Sequence, residues 1–307
     1  MGYQERDWEI LDYQGYLLED TGLWFRGPQP KNLKKGEYFV CIGAAQTFGC
    51  FCEKPYPTLL QEKLGLPALN LGYGGAGPYF FLLNNRKLLR YINNAKFSII
   101  QVMSGRSENN SLFDSGGLEY LTRRSDGVKI GSRDAYKELI QGYAGNRRHT
   151  LLQKRYIRKI YAYFRRNHIK KVVAETRHNW TINYKKLLEE FEIPKILFWF
   201  SKREPEYQEK YTNVYSLFGG FPHLVNSHMI NEIRKYSDEY VECISSRGSP
   251  QLLISRFTGK PTTIDPSDAR KDLGTGKRLD YNSYYPSPEM QIDAANALES
   301  ICKKYYD

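Results

Sequence analysis

The stretch FSIIQVM, residues 97–103, is a nearly unbroken apolar run, and no other feature constrains the fold as much. A strand that is apolar on both faces has to be covered on both faces, which is the condition of a parallel sheet between helical layers. Similar runs recur at Tyr38–Ile42, Ala68–Leu71, IKKVVAE (169–175), KILFWF (195–200) and Tyr240–Ile244. Between them lie segments with helical spacing: Tyr56–Leu64, Tyr79–Asn93, Ser132–Gly142, Thr150–Asn167, Ile182–Phe191 and Leu224–Lys235. Near the end, Ser287 and Pro288 form a cap and first turn ahead of a last helix. The alternation predicts an α/β three-layer sandwich. Residues 1–36 read as a polar, aromatic-rich extension and 37–307 as one domain. Residues 104–131 show no clear period and are expected to be a lid, a binding loop or disordered, and 246–283 is a second long irregular stretch.

The chain of 307 residues carries a net charge of +11, with 25 Tyr and 15 Phe. The charge points to an anionic partner: an acidic glycan, a phosphate or sulfate ester, nucleic acid or a membrane surface. Much of it falls in RRNHIKK (165–171) and in Arg147, Arg148, Lys154, Arg155, Arg158 and Lys159, a pattern that suits a solvated basic helix. No RNA-binding aromatic signature or zinc-finger spacing accompanies it, so nucleic acid rests on charge alone. The five cysteines are scattered, and the Cys50–Cys52 pair lacks the second pair that a zinc site needs. With no apolar signal core and no run of about eighteen apolar residues, a cytoplasmic, non-spanning protein is expected.

The first strand runs into GAAQTFG (43–49). A glycine-hinged turn after a parallel strand pushes side chains out at the carboxyl edge of the sheet, where α/β enzymes place reactive groups. Here the exposed positions are Ala44, Ala45 and Gln46. The turn of a nucleophile is present without a nucleophile, which leaves Gln46 and Thr47 as hydrogen-bonding walls of a pocket.

Three segments in order, GAAQTFG after strand one, NLGYGGAG (70–77) after strand two and YYPSPEMQIDAANAL (284–298) at the last helix, resemble the SGNH (GDSL-type) hydrolase superfamily. The chain is also similar to a bacterial family of unknown function with the same glycine turn, Asn-Leu-Gly, Gln-Val-Met and Tyr-Tyr-Pro-Ser-Pro segments. The resemblance implies a flavodoxin-like parallel sheet with long loops at its carboxyl edge, and sugar-ester or acyl-transfer chemistry. It places Ala44 and Ala45 at the Asp and Ser of the nucleophile turn, Gly75 at the oxyanion glycine, and Asn282 and Tyr285 at the triad Asp and His. A methyl group cannot attack a carbonyl, and a phenol is a weak base near neutral pH. Standard Ser-His-Asp catalysis is excluded on those residues.

Candidates for the remaining roles sit after the strands. Asn70 is placed to pin the second turn. SGRSENN (104–110) offers Arg106, Ser107, Asn109 and Asn110, and Arg123 and Arg124 lie in the next loop. An arginine fork there could hold a carboxylate, phosphate or sulfate. His223, past the KILFWF strand, is the best candidate for a displaced base, with His178 after the 169–175 run as the second. Gly75 is either an oxyanion donor or only the allowance for a sharp turn. Three functions stay open: glycan or surface-polysaccharide modification by transfer or ester chemistry, a non-catalytic binder of an anionic or sugar ligand, and a nucleic-acid module. The sequence names no metal and no donor cofactor.

Overall fold

Five of the apolar runs pair side by side. The computed structural model describes residues 6–141, 153–264 and 279–306. The central strands are β1 (Phe39–Gly43), β2 (Ala68–Gly72), β3 (Ser98–Gln101), β4 (Lys195–Ser201) and β5 (Glu239–Ile244). All are parallel, in the order β5-β4-β3-β1-β2. This is the flavodoxin-like arrangement, with its switch point between β1 and β3, and it is the strand order that the resemblance implies.

Alternation along the strands divides the core. Phe39, Cys41, Ile99 and Phe198 face α2 (Tyr56–Leu64) and the terminal α9 (Pro288–Lys303). Val40, Ile42, Ile100 and Trp199 face the other layer, built from α3 (Pro78–Leu83), α4 (Asn85–Asn93), α6 (Gln153–Glu189) and α8 (Ser227–Arg234). Ser287 caps α9, its hydroxyl accepting from the Met290 amide at 3.2 Å. Among the described residues no helix is long and apolar enough to cross a membrane.

The expected strand at 169–175 is absent, because that segment lies inside the 37-residue helix α6. Ile169, Val172, Val173, Thr176, Trp180, Tyr184, Leu187 and Leu188 are buried, a spacing of three and four that only a helix turns to one side. The expected helix at 182–191 is the end of the same element. Arg147 and Arg148 lie outside the described residues, as do the side chains of Lys154, Arg155, Arg158, Lys159 and Arg165.

Residues 104–131 are no loose lid. A 3-10 turn, Gly105–Ser107, leads into a three-stranded antiparallel sheet of Phe113–Asp114, Tyr120–Arg123 and Lys129–Gly131. The strands are too short for a period to show, yet Phe113 and Leu121 are buried against α5 (Ser132–Gln141), α6 and α7 (Val214–Phe218). The polar lead-in is also tied down. The buried Arg26 donates to the carbonyls of Phe48, Gly49, Cys52 and Glu53 at 3.1, 2.6, 2.6 and 2.7 Å.

The turn after β1, which carries the short helix α1 (Ala45–Phe48), closes on itself without a side chain at Gly43. A Cβ there would stand 2.2 Å from Thr47 Oγ1 and 2.4 Å from Gln101 Oε1. Those atoms meet instead, with the Thr47 hydroxyl donating to Gln101 Oε1 at 2.6 Å and the Ala44 amide donating to it at 3.0 Å. We expect Gly43→Ala to cost about 2–4 kcal/mol, from overpacking and a broken buried hydrogen bond. Urea denaturation checks this, and a loss under about 0.5 kcal/mol would show that the turn yields freely.

Candidate functional site

The carboxyl edge of the sheet holds two adjoining spaces. The first is a slot of about 20 Å³ at the switch point, lined by Ala44, Ala45, Gln46, Gly75, Ala76, Ser104, Arg106, Ser107, Phe221 and Tyr284. It has room for about one water. Gly75 adopts φ +76°, and a Cβ on it would press on Glu119 Cγ at 2.9 Å. The Gly75 carbonyl accepts from Ser107 Oγ at 2.8 Å. Arg106 crosses the slot, paired with Glu119 and donating to the Tyr284 hydroxyl at 3.2 Å. Where the resemblance places a serine there is a buried methyl group under an ion pair.

The second space is an open cleft of about 410 Å³ past the end of β4. Its walls come from the tip of β4 (Phe200, Ser201), from α7 and the turn after it, from the Ser283–Pro286 loop, and from Met290 on α9. His223 and Gln46 belong to this cleft. Among the described residues, His223, 8% exposed, has no partner for its Nδ1, and Gln46, 2% exposed, has none for either atom of its side-chain amide. Unpaired buried polar groups are rare enough in native folds to need a reason. Burial, and after it the charges of Arg106 and Arg203, hold the His223 imidazole well below the usual histidine range. It is therefore neutral at pH 7.

Among the described residues, four cations and no carboxylate line this cleft: Arg106, Arg133, Lys202 and Arg203. Arg203 gives all its donors to main-chain carbonyls, those of Gly220, Glu204, Pro205, Pro222 and Val225. It shapes the 219–225 turn, with burial lowering its pKa to about 10. Lys202 donates to Ser249 Oγ at 2.6 Å and the Ser283 carbonyl at 2.8 Å. Arg133, half-buried at the start of α5, makes no ion pair or hydrogen bond among the described residues.

Of the residues expected from sequence, Gly75, Ser107, Arg106, Gln46 and His223 converge on the slot and cleft. The others have scaffold bonds. Thr47 faces inward, to Gln101 and to the Tyr56 hydroxyl at 3.2 Å. Asn70 donates to the Thr47 carbonyl at 2.9 Å and accepts from the Gly72 amide at 2.8 Å. Asn109 holds Ser115, and Asn110 reaches Tyr136 and Thr176. Arg123 pairs with Asp126 and Glu138, while Arg124 donates to the Asn110 carbonyl at 3.0 Å. His178 is exposed in mid-helix on α6, away from both spaces, because no strand precedes it. Tyr285 packs on Phe51, and its neighbour Tyr284 is the ring that lines the site. Asn282 caps the same turn, accepting from the Tyr285 amide at 2.9 Å.

Sequence reasoning missed Lys202, Arg203, Arg133, Tyr215 and Tyr284. Lys202 and Arg203 had a usable signal, since they are the first residues past a buried parallel strand. Arg133 had none, because only the short antiparallel sheet brings α5 to the cleft.

Behind the slot, the buried Glu108 carboxyl accepts from Asn183 Nδ2 at 2.8 Å and the Tyr79 amide at 3.3 Å. Burial raises its pKa from 4.5 to about 8 despite those bonds. A carboxyl raised in the fold favours folding in its neutral form, so its contribution is full below about pH 4.5 and falls away as pH rises toward 8. The depressed His223 acts oppositely: its contribution is full above about 6.5 and lost as pH falls. We expect Glu108→Gln to flatten the alkaline limb of the stability profile and His223→Gln the acid limb. Unfolding midpoints between pH 5 and 9 check both, and unchanged limbs would refute the assignments.

The five cysteines are free and buried. No characterised protein matches the sequence significantly. Among solved structures, the chain is similar to an inferred SGNH hydrolase from Slackia heliotrinireducens, at 10% identity, TM-score 0.38, over 86% of this chain and 98% of that one. It is also similar to a carbohydrate esterase family 2 enzyme with a carbohydrate-binding domain from Corynascus thermopiles, at 9% identity, TM-score 0.38, over 91% and 68%. A family two carbohydrate esterase from Clostridium thermocellum, in complex with cellohexaose, aligns at 9% identity, TM-score 0.36, over 92% and 67%. At these scores the strand order, not the superposition, carries the architecture, and the chemistry of those proteins is not transferred. A family model described as a domain of unknown function, DUF6473, matches residues 1–115 and 155–262, and the chain belongs to that family.

Proposed function

We propose that the protein modifies a hydroxyl-bearing, glycan-type ligand held in the cleft, by group transfer or ester chemistry that uses no enzyme-borne nucleophile. The observation that supports this most is His223: a buried, neutral imidazole lining an open cleft beside the unpaired amide of Gln46. A neutral imidazole can take the proton of a ligand hydroxyl as that oxygen attacks the acyl carbon of a bound ester, which is the base role that Tyr285 cannot fill. It can then return the proton to the departing oxygen as the original ester C–O bond breaks. The small slot at Ala45 is consistent with this, since under this reading nothing needs to attack from there. The aromatic rings of the cleft walls suit a sugar ring, and the surplus of cations suits an acidic one. A precursor of a surface polysaccharide is the ligand class we favour. A cytoplasmic setting fits five thiols that are all unpaired.

A second reading has its own support. The buried methyl of Ala45 and the Arg106–Glu119 pair across the slot suit a binder that has kept the fold and lost the chemistry. Acetylated acidic oligosaccharides, incubated with the protein and followed by mass spectrometry, separate the two. Under our reading acetyl groups are released or moved, and His223→Gln lowers kcat by about a hundredfold or more with KM little changed. Ala45→Ser is expected to leave hydrolysis of p-nitrophenyl acetate at the starting level, because no base stands at that slot. Ligand bound and recovered intact would establish the binder, and full turnover in His223→Gln would end the catalytic assignment.

A further inference from the structure

The charge in the cleft is larger than a single acidic sugar requires. Glu119 neutralises Arg106, which leaves Arg133, Lys202 and Arg203 with no carboxylate partner among the described residues. Arg203 contributes its field but has spent its donors on carbonyls. Lys202 has used two of its three protons, on Ser249 and Ser283, and keeps one. Arg133 has its whole fork to offer. One carboxylate would compensate one of these three charges, whereas a diphosphate ester brings two or more negative charges and several acceptor oxygens.

The apolar part of the cleft complements this. Tyr215, 71% exposed on α7, and Tyr284, 40% exposed on the 283–286 loop, line the cleft as solvent-facing rings above an interior of Phe200, Phe218 and Phe221. Exposed rings beside unpaired cations suit a ligand with a flat ring at one end and phosphates at the other. A volume of about 410 Å³ lies within the range of sites for ligands of that size.

We infer that the cleft binds the diphosphate of a nucleotide-type ligand, with Arg133 and Lys202 holding the phosphate oxygens and Tyr215 and Tyr284 holding the planar base. This rests on the group-transfer reading in one respect only, that such a ligand would be the donor of the transferred group. Two donor classes share the chemistry, a nucleoside diphosphate derivative and coenzyme A, and the arms of the test separate them.

Calorimetric titration of the full chain uses ADP, UDP, coenzyme A, inorganic pyrophosphate and glucuronate as probes. We expect one of the three nucleotides to bind at least tenfold more tightly than pyrophosphate, and glucuronate to bind more weakly than either. Tightest binding of coenzyme A marks an acyl donor; tightest binding of ADP or UDP marks a nucleotide-linked donor. Arg133→Gln and Lys202→Gln should each weaken the tightest ligand about tenfold, the size of one lost charge-assisted hydrogen bond. The exposed Lys87→Gln should leave it unchanged. Arg133 supports no other side chain, so its variant remains informative if Lys202→Gln fails to fold. Absence of nucleotide binding, binding no tighter than pyrophosphate, glucuronate binding as tight as nucleotide, or indifference to Arg133→Gln would each overturn the inference. Binding is read without turnover, so loss of the His223 mechanism leaves this result standing, and the reverse holds too.

Discussion

The carboxyl edge of the sheet depends on one close approach: Thr47 Oγ1 and Gln101 Oε1 meet in the space that a side chain at Gly43 would fill. That contact joins the turn after β1 to the end of β3. The Tyr56 hydroxyl extends it to α2, and Asn70 links the Thr47 carbonyl to the end of β2. Three strand ends and a helix thus share one buried polar network, in which each member fixes the next. The network leaves Gln101 Nε2 without a partner, a cost that a looser turn would avoid. The turn has to be held this firmly because its outer face, Ala44 to Gln46, forms the wall between slot and cleft.

From that wall the larger space lies sideways along the sheet. In the superfamily pattern the chemistry belongs to the ends of β1 and β2, over the small slot. Here Arg106, Glu119 and Tyr284 close that region, and the accessible volume lies past β4, where the chain gives Ser201, Lys202 and Arg203 in succession. Arg203 explains how the cleft keeps its shape. A guanidinium bonded to five carbonyls holds the 219–225 turn open and presents His223, at the cost of leaving a positive charge uncompensated. The same residue that builds the cleft makes it electropositive.

The sheet was legible because its strands are buried on both faces and so read as apolar runs; FSIIQVM and KILFWF could be little else. The misreading at IKKVVAE has a clear cause. Two adjacent valines look β-like, and their helical partners Thr176 and Trp180 lie beyond the end of the run. The three-stranded sheet of 113–131 stayed hidden because each strand has two to four residues and its apolar members are only one or two. The site was half legible. Gln46, Gly75, Arg106 and His223 follow strand ends and could be found by that rule. Asn109, Asn110 and Arg124 also follow a strand, but spend their bonds on the scaffold, which no spacing reveals. Arg133 belongs to a helix start, far from any strand of the main sheet, and enters only by tertiary packing.

His223 connects the electrostatics to the chemistry. Its imidazole is kept neutral first by burial and only then by Arg106 and Arg203. An anion entering the cleft would cancel part of the arginine field, which by itself would raise the histidine pKa. It would also exclude water and strengthen the burial that is the larger cause. The two effects oppose each other. A cleft that concentrates an anion beside a histidine would ordinarily protonate it and end its use as a base. Here the deep seat of His223 against Phe218 and Phe221 opposes that, so the proposed anion binding and the proposed proton acceptance are compatible in one site.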